Sequence, residues 1–306
     1  MSLSILITGI NGFVGSFLFK NLSNRIDLNV FGLVRNKTTF SHNIFTLEEL
    51  QSDPSIFKKN NIKYIINAAG KAHVRFEFLE KNKRKLYLDN VKFSSDLSQL
   101  AKLNKIKLMI HFSTSKVYGE KGFFDENSKI NPKDCYSKSK AESEKKIIEI
   151  LKDSNVNLSI IRSPVIYGEN PKGNFKLLLL ATKYKIPIIT SKSNVCRSFL
   201  STENLLKFVE YNLLNYKKFQ IFNLCDSKSL SIKELITIFS KINKTKTINI
   251  QLSDFALYYL KKLPILRKIL DPLSSNFILE TIHKNITSQI KLKTTKEILN
   301  DFNFKN

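Results

Sequence analysis

Three glycines near the amino terminus constrain the fold of this chain more than any other feature. Gly9, Gly12 and Gly15 lie between the apolar run 3–7 and the segment 16–22, whose apolar residues recur at helical spacing. Strand, glycine turn and helix in this order form the phosphate-binding start of a dinucleotide fold. A glycine turn of an unrelated α/β protein is the alternative, which the two correct flanks disfavour. We therefore predict a dinucleotide site, whose contacts from this turn are Gly9, Asn11, Gly12, Phe13, Val14 and Gly15.

Length and composition place the chain among ordinary globular proteins. Its 306 residues can form one large or two modest domains. The longest apolar runs are far shorter than the roughly 18 residues of a membrane span, and no basic region precedes an apolar stretch at the amino terminus. Three cysteines, Cys135, Cys196 and Cys225, are widely spaced and show no metal-ligand pattern. We expect a cytoplasmic protein with no transmembrane segment, no disulfide framework and no bound metal.

The net charge of +24 raises the question of a nucleic-acid partner. Only seven of the 50 basic residues are arginine, and the lysines are spread along the chain, with 81–85 as the densest cluster. A solvated basic surface is therefore the interpretation that we favour, and no specific nucleic acid is expected.

Strand-like apolar runs alternate with helical patterns through the first half of the chain. The predicted strands after the first are 30–34, 43–45, 63–67, 107–112 and 158–162, and the main predicted helices are 86–103 and 136–151. This alternation predicts an α/β fold with a Rossmann-type doubly wound parallel sheet, whose ligands bind at the carboxyl ends of the strands. We predict an NAD(P)-binding domain at 1–165, to which 196–225 returns, and a smaller C-terminal lobe at 166–306 that mainly binds substrate.

Two features near these strand ends bear on the cofactor. Arg35 follows the second strand, where an acidic residue would hold the ribose of NAD and an arginine can accommodate the 2′-phosphate of NADP. NAD and NADP both remain open, with NADP slightly favoured by Arg35. Ala68, Ala69 and Gly70 follow the fourth strand, and such small residues let the chain pass close to a bound cofactor.

Tyr136 and Lys140 are the candidate acid/base pair. They are four residues apart on a predicted helix, so that both side chains project from one face. A neighbouring ammonium would lower the pKa of the tyrosine, and the lysine could also hold the nicotinamide ribose. Tyr258 and Lys262 have the same spacing, but only Tyr136 follows a strand that ends in hydroxyl residues, Ser113 and Thr114. One of these hydroxyls could bind the reacting substrate oxygen, and a solvent-facing strand end is the alternative.

Six motifs in the chain occur in a familiar order. They are 8–15, 67–70, Asn90-Val91, 113–119, the stretch from Asn131-Pro132 to Lys140, and 162–168. Together they resemble the nucleotide-sugar epimerase/dehydratase branch of the extended short-chain dehydrogenase/reductases over about residues 3–225. The resemblance implies Thr114 as the catalytic hydroxyl, Tyr136 as the acid/base and Lys140 as its partner. It also places Asn90 at the cofactor.

The substrate side of the resemblance involves Ser113 and the C-terminal half. The stretch 173–175, with Asn174, is similar to the segment that grips the nucleotide, and Arg197 is similar to the arginine that meets the pyrophosphate. A surface position is the alternative for Arg197. The substrate class implied is a UDP-sugar, and we expect a homodimer.

One departure from the family refines the expected reaction. The 4,6-dehydratases of this branch have Asp-Glu after the catalytic threonine, whereas this chain has Ser115 and Lys116. Dehydration is therefore disfavoured, and hydride transfer at C4 of a UDP-hexose or UDP-N-acetylhexosamine remains, by a 4-epimerase or a 4-keto-reductase. The resemblance is greatest to bacterial UDP-hexosamine enzymes, especially the 4-keto-reductases that serve surface polysaccharide biosynthesis.

Two alternatives of other kinds stay open. A non-catalytic dinucleotide sensor or nucleic-acid binder could use the same fold, although such a protein has no need of Thr114, Tyr136 and Lys140 together. Two basic amphipathic segments, 255–263 and 265–270, are typical either of a lid over the sugar pocket, which we favour, or of peripheral contact with a membrane.

Overall fold

The computed structural model describes residues 2–37, 42–72 and 79–302. The chain forms two compact units that are interleaved in sequence. The first unit comprises 1–119, 129–162 and 208–222, and the second comprises 120–128, 163–207 and 223–306. Of the segment 196–225, only 208–222 is therefore part of the first unit.

The strands alternate with helices along the chain. The strands are β1 (Leu3–Thr8), β2 (Leu28–Val34), β3 (Ile44–Thr46), β4 (Ile62–Asn67), β5 (Leu108–Thr114), β6 (Gly122–Phe124), β7 (Asn157–Ser163), β8 (Val165–Tyr167), β9 (Ile188–Ser191), β10 (Cys196–Arg197), β11 (Phe199–Ser201), β12 (Phe219–Asn223), β13 (Leu230–Ser231), β14 (Asn249–Leu252) and β15 (Phe277–Leu279). The helices are α1 (Phe13–Ser23), α2 (Leu47–Ser52), α3 (Ser55–Lys59), α4 (Glu80–Leu86), α5 (Phe93–Leu103), α6 (Cys135–Leu151), α7 (Gly173–Lys183), α8 (Thr202–Leu214), α9 (Ile232–Ile242), α10 (Asp254–Leu260), α11 (Pro264–Ser274), α12 (Lys284–Gln289) and α13 (Thr295–Asn300). A π-helical segment, Tyr87–Lys92, joins α4 to α5, and a 3₁₀ turn, Ser115–Val117, follows β5.

A seven-stranded sheet forms the centre of the first unit. Its strand order is β12-β7-β5-β4-β1-β2-β3, and the pairs β1–β2, β2–β3, β1–β4 and β4–β5 are parallel. The predicted Rossmann-type sheet is confirmed, and its strand order reverses between β1 and β4. In sheets of this kind the crevice at the reversal is where ligands bind.

The buried apolar runs explain why these segments are central strands. All seven residues of β5 are buried, as are five of the six in β1, because helices cover both faces of a parallel sheet. Leu6, Ile65 and Met109 come from neighbouring strands and meet in one hydrophobic core. Burial on both faces leaves the ends of these strands for chemistry, and in open α/β sheets ligands bind outside the carboxyl ends.

The second unit has smaller sheets and its own core. One sheet has the order β13-β10-β15-β6, and two further pairs are β11–β8 and β14–β9. The core is rich in aromatic residues: the ring of Phe175 stacks on Tyr167 and makes edge contacts with Phe199 and Phe239. The second unit therefore does not depend on the large sheet for its hydrophobic core.

The amphipathic segments of the sequence form α10 and α11. Leu257 is buried, whereas Phe255, Tyr258 and Tyr259 are exposed, with 72% of Phe255 accessible. The Lys262 ammonium lies 4.7 Å from the centre of the Tyr259 ring. Within the described ranges, no helix is long and apolar enough to cross a membrane.

Candidate active site

The glycine turn between β1 and α1 is closely packed. Gly9 has a φ of +70°, and a Cβ on it would lie 2.8 Å from the carbonyl oxygen of Ala68. The Gly12 N–H donates to the Gly9 carbonyl at 2.7 Å, and a Cβ on Gly15 would overlap that same carbonyl oxygen. No other residue type fits at Gly9 or Gly15 without a shift of the backbone. The turn can therefore take this conformation only with glycine at these two positions.

The start of α1 offers main-chain donors. Gly12 is the N-cap residue and provides no side-chain hydrogen bond to the first turn, while Asn11 is exposed and Phe13 and Val14 are half-buried. Uncapped N–H groups at the positive end of a helix bind phosphate. The glycine turn, which has no side chains in the way, and the uncapped start of α1 together fit the pyrophosphate of a dinucleotide.

Arg35 lies at the end of β2 and forms an ion pair with Asp89. Its Nη2 donates to Asp89 Oδ1 at 2.7 Å, and the other carboxylate oxygen of Asp89 is buried without a partner. The Arg35 side chain is nevertheless 70% exposed. The nearby Lys85 ammonium lowers the pKa of Lys71, and the positive charge of Arg35 lowers it further. Arg35, already paired with Asp89, thus has Lys71 and Lys85 in its neighbourhood, at the position where the sequence predicted a 2′-phosphate contact.

Asn90 connects the loop after β4 to α6. Its side chain accepts from the Lys71 N–H at 2.8 Å and donates to the Lys71 carbonyl at 3.3 Å and to Ser139 Oγ at 2.8 Å. The π-helical segment holds Asn90 fully buried, and such segments are frequent at functional sites. Asn90 therefore fixes the path of the chain just after Ala68, Ala69 and Gly70.

Thr114 and Tyr136 come together at the carboxyl end of β5. Thr114 is the last residue of that strand, and Tyr136 is in the first turn of α6, which begins at a capping box on Asp134. Burial raises the pKa of Tyr136 to about 12, and the charge of Asp134 acts in the same direction, while the nearby Thr114 hydroxyl acts to lower it. The expected lowering of this pKa by Lys140 is not seen, because desolvation of the phenolate dominates.

Lys140 follows Tyr136 by one helical turn and is 2% exposed. Burial lowers its pKa to about 8, although the charge of Glu144 acts to raise it. Its Nζ lies 3.3 Å from His111 Nε2, and a Cβ on Gly70 would lie 3.8 Å from the same Nζ. The amine is thus held beside the loop that is predicted to contact the cofactor.

Ser113 belongs to a buried network beneath this pair. Its hydroxyl donates to Glu144, whose carboxylate also receives Arg162 Nη2 at 2.7 Å and Nε at 3.2 Å. Arg162 Nη1 donates to the Tyr118 hydroxyl at 2.9 Å. The Ser113 side chain is therefore engaged within the protein, and its contact with substrate stays a prediction.

The two predicted substrate residues of the second unit differ in exposure. Asn174 is exposed in the first turn of α7. Arg197, on β10, is half-buried: its Nη1 donates to the Ser275 carbonyl at 2.9 Å, and its guanidinium lies 5.2 Å from the centre of the Phe277 ring. Burial lowers the pKa of Arg197 to about 10. Its role in binding a pyrophosphate stays a prediction.

Sequence reasoning missed two participants, His111 and Glu144, whereas Asn67 belongs to the predicted motif 67–70. Asn67 lies at a strand end, but His111 is inside β5 and was interpreted only as a strand residue. Glu144 could have been found, because Tyr136, Lys140 and Glu144 repeat every four residues and so share one face of α6.

Comparison with known proteins agrees with this geometry. The sequence model of the NAD dependent epimerase/dehydratase family matches residues 5–225. The chain is 29% identical to UDP-glucose 4-epimerase of Vibrio cholerae over 246 residues, which is 77% of this chain and 74% of that protein. Its fold is similar to that of UDP-glucuronic acid 4-epimerase from Bacillus cereus in complex with NAD, with a TM-score of 0.74, 18% identity and coverage of 99% and 97%. It is also similar to dTDP-4-dehydrorhamnose reductase from Bacillus anthracis in complex with NADP, with a TM-score of 0.71, 16% identity and coverage of 99% and 98%.

Proposed function

Since the chain belongs to the NAD-dependent epimerase/dehydratase family, we propose that it moves a hydride at C4 of a UDP-hexose or UDP-N-acetylhexosamine. A 4-epimerase is the reaction that we favour, because the curated relatives include UDP-glucose 4-epimerases. A role in surface polysaccharide biosynthesis is part of the same proposal.

The observation that carries this proposal is the placement of Thr114 at the end of β5 close to Tyr136 in the first turn of α6, with Lys140 one turn further along that helix. A phenol next to a second hydroxyl provides two groups for one sugar oxygen. A protein that only senses a dinucleotide has no use for such a pair. This observation therefore favours an enzyme over a binding protein.

The residues take the following parts in the proposed reaction. Tyr136, ionised to the phenolate once the cofactor is bound, would accept the proton from the 4-hydroxyl as the C4 hydride leaves, and would return that proton when the hydride is delivered to the other face of C4. Thr114 donates a hydrogen bond to the same sugar oxygen, and Lys140 holds the ribose next to the nicotinamide. When bound, oxidised NAD(P) supplies the hydride acceptor and a positive charge that lowers the pKa of the phenol.

The Thr114-Ser115-Lys116 sequence is the argument against dehydration. Lys116 forms an ion pair with Asp134 at 3.2 Å. The position after Thr114 and Ser115 therefore holds a paired lysine in place of a carboxylic acid. Elimination of water would need an acid and a base beside C5 and C6 of the sugar. We therefore propose no dehydratase activity.

Replacement of Tyr136 by phenylalanine tests the proposal. Tyr136→Phe should reduce turnover of UDP-glucose or UDP-N-acetylglucosamine by about 10²–10⁴-fold while the affinity for NAD changes little. Tyr258→Phe is the matched control, because it alters the second Tyr-x-x-x-Lys pair at an exposed position and should retain turnover. Turnover that survives in Tyr136→Phe would refute the assignment.

A 4-keto-reductase is the second candidate, and Arg35 favours it. Its exposed guanidinium and the neighbouring Lys71 and Lys85 suit a 2′-phosphate. Denatured enzyme that releases stoichiometric NAD would support the epimerase. Release of NADP, or consumption of NADPH with a UDP-4-keto-hexosamine, would support the reductase.

We further propose that the chain acts in the cytoplasm as a homodimer and binds no specific nucleic acid. The three cysteines, which are free thiols in this structure, support a reducing compartment. Size-exclusion chromatography with light scattering tests the dimer, and retention on DNA or RNA at low salt would argue against the last point.

A further inference from the structure

The aromatic residues of α10 form a cluster that the proposed reaction does not use. Four residues at positions i, i+3, i+4 and i+7 share one face of this helix and of the turn after it, and we call them the aromatic face: Phe255, Tyr258, Tyr259 and Lys262. The rings of Phe255 and Tyr259 meet edge to face at 4.9 Å, and those of the two tyrosines at 5.5 Å. The Lys262 ammonium lies 5.3 and 4.7 Å from the centres of the two tyrosine rings.

The aromatic face is open to solvent, whereas the opposite side of α10 is packed. Its three rings are 72%, 63% and 51% exposed in chain order, and Leu263, which follows Lys262, is 59% exposed. Leu257, by contrast, is buried and attaches the helix to the second unit. Single exposed apolar side chains are ordinary, but contiguous apolar surface marks an interaction site.

Lysines lie at both ends of α10. Lys262 follows the helix at its carboxyl end. At the other end, the Lys192 N–H donates to the Leu252 carbonyl at 2.9 Å, and the Lys233 ammonium donates to the Lys192 carbonyl at 2.9 Å. The exposed rings are thus flanked by positive charge.

The carboxylates around α10 are engaged by groups other than Lys262. Asp254 accepts from the Ser191 hydroxyl at 2.7 Å. Asp271 forms ion pairs at 3.1 and 3.2 Å with two other cations, Lys261 and Arg267. The charge of Lys262 is therefore available to a partner outside the protein.

These residue types indicate the chemistry of the partner. Tyrosine is enriched at the headgroup level of membranes, because its ring is apolar and its hydroxyl is polar. A lysine beside such rings can lay its stem along them and extend its ammonium to lipid phosphates. The cores of protein–protein interfaces, by contrast, are depleted of lysine. The net charge of +24 complements an anionic surface in the same way.

We propose that the aromatic face docks the second unit on the anionic surface of a phospholipid bilayer. The rings of Phe255 and the two tyrosines enter at the level of the headgroups, and Lys262 binds lipid phosphates there. The contact is peripheral, since no helix of the described residues is long and apolar enough to cross a membrane. The proposal goes beyond the proposed reaction and does not depend on it.

The first test exploits a chain that contains no tryptophan. Phe255→Trp places a single emitter in the aromatic face, and Phe219→Trp places one in the first unit, at a ring that is 48% exposed. Vesicles of phosphatidylglycerol and phosphatidylcholine in equal parts should shift the emission of Phe255→Trp to shorter wavelength, and brominated acyl chains should quench it. The emission of Phe219→Trp should change little, and vesicles of phosphatidylcholine alone should have a much smaller effect on Phe255→Trp.

Three outcomes of this test would overturn the proposal. Unchanged emission of Phe255→Trp on anionic vesicles would mean that the ring stays in water, even if the protein sediments with the vesicles through its other lysines. A shift that depends on protein concentration without vesicles would assign the aromatic face to a second copy of this chain. A shift caused by UDP-glucose alone would assign it to closure over the sugar pocket.

The second test measures partition onto the same anionic vesicles by sedimentation. The double variant Phe255→Ser, Tyr259→Ser should lower the partition coefficient at least about tenfold, because two apolar rings leave the surface. Lys262→Gln should lower it about fivefold, and Phe219→Ser, the matched control, should leave it unchanged. Equal partition of the double variant and the wild type would overturn the proposal. Neither test uses turnover, so that an enzyme inactive with UDP-sugars would refute the proposed function and leave this inference standing.

Discussion

Removal of the Glu144 carboxylate should destabilise the first unit strongly. Glu144 and Arg162 are 5% and 6% exposed, and the guanidinium makes contacts of 2.7 and 3.2 Å with the carboxylate oxygens. Glu144→Gln keeps the shape of the side chain but leaves the Arg162 charge without a counter-ion inside the protein. Breaking one side of a buried pair costs about 3–5 kcal/mol.

Urea unfolding followed by circular dichroism measures this loss, and α6 itself offers the control. Glu149 pairs with Lys146 at 3.1 Å, where the two side chains are 48% and 43% exposed. Glu149→Gln should change the free energy of unfolding by less than about 1 kcal/mol. Equal losses in Glu144→Gln and Glu149→Gln would refute the reasoning. Recovery of most of the loss in the double variant Glu144→Leu, Arg162→Met would support it, because apolar residues then replace both charges.

Three further predictions concern the cofactor side of the site. Gly15→Ala should weaken NADH binding at least about tenfold, because its Cβ meets the Gly9 carbonyl, whereas Gly70→Ala, with no neighbour closer than 3.4 Å, should have a smaller effect in the same fluorescence titration. Arg35→Ala should raise the Kd for NADPH by about tenfold and that for NADH much less, and equal changes for the two nucleotides would remove Arg35 from the 2′-phosphate site. Lys140→Met should stabilise the protein at pH 7, by up to about 3 kcal/mol, since the folded pKa of about 8 lies below the unfolded 10.5. The penalty from Lys140 is complete below pH 8 and fades as the pH rises to 10.5, so unfolding of both proteins at pH 7 and 10.5 should show the gain disappearing.

The fold was predictable because its signals are local. Gly9 and Gly15 are required by the turn itself, and the buried runs of β1 and β5 are visible as apolar stretches. The spacing of Tyr136 and Lys140 follows from the helical repeat, and the structure places both on α6. Local periodicity is enough for such features, since each depends on residues a few positions apart.

The electrostatics of the site could not be predicted in this way. The partner of Arg35 is Asp89, 54 residues away, and nothing in the sequence links them. The direction of the pKa shift of Tyr136 was wrong, because neighbouring charge can be inferred from helical spacing whereas desolvation depends on everything packed around the phenol. His111 likewise could not be placed from the sequence, since its side-chain partners Asn67 and Lys140 lie on other elements.

A buried aspartate in the second unit accepts hydrogen bonds from residues in distant parts of the chain. Asp226 accepts hydrogen bonds from Tyr167 at 2.8 Å, from Asn204 at 2.7 Å and from Thr295 at 2.7 Å. β15 likewise pairs with β6, more than 150 residues earlier in the chain.

These late contacts bear on how the protein is made. A ribosome that has translated as far as α9 has delivered nearly all of the first unit, yet the second still lacks β15 and Thr295. The second unit therefore completes its core only once β15 and Thr295 have been translated, and until then Asp226 lacks the hydrogen bond from the Thr295 hydroxyl. Premature termination shortly before Thr295 would leave a buried carboxylate short of a partner, and we expect such fragments to be substrates for quality-control proteases.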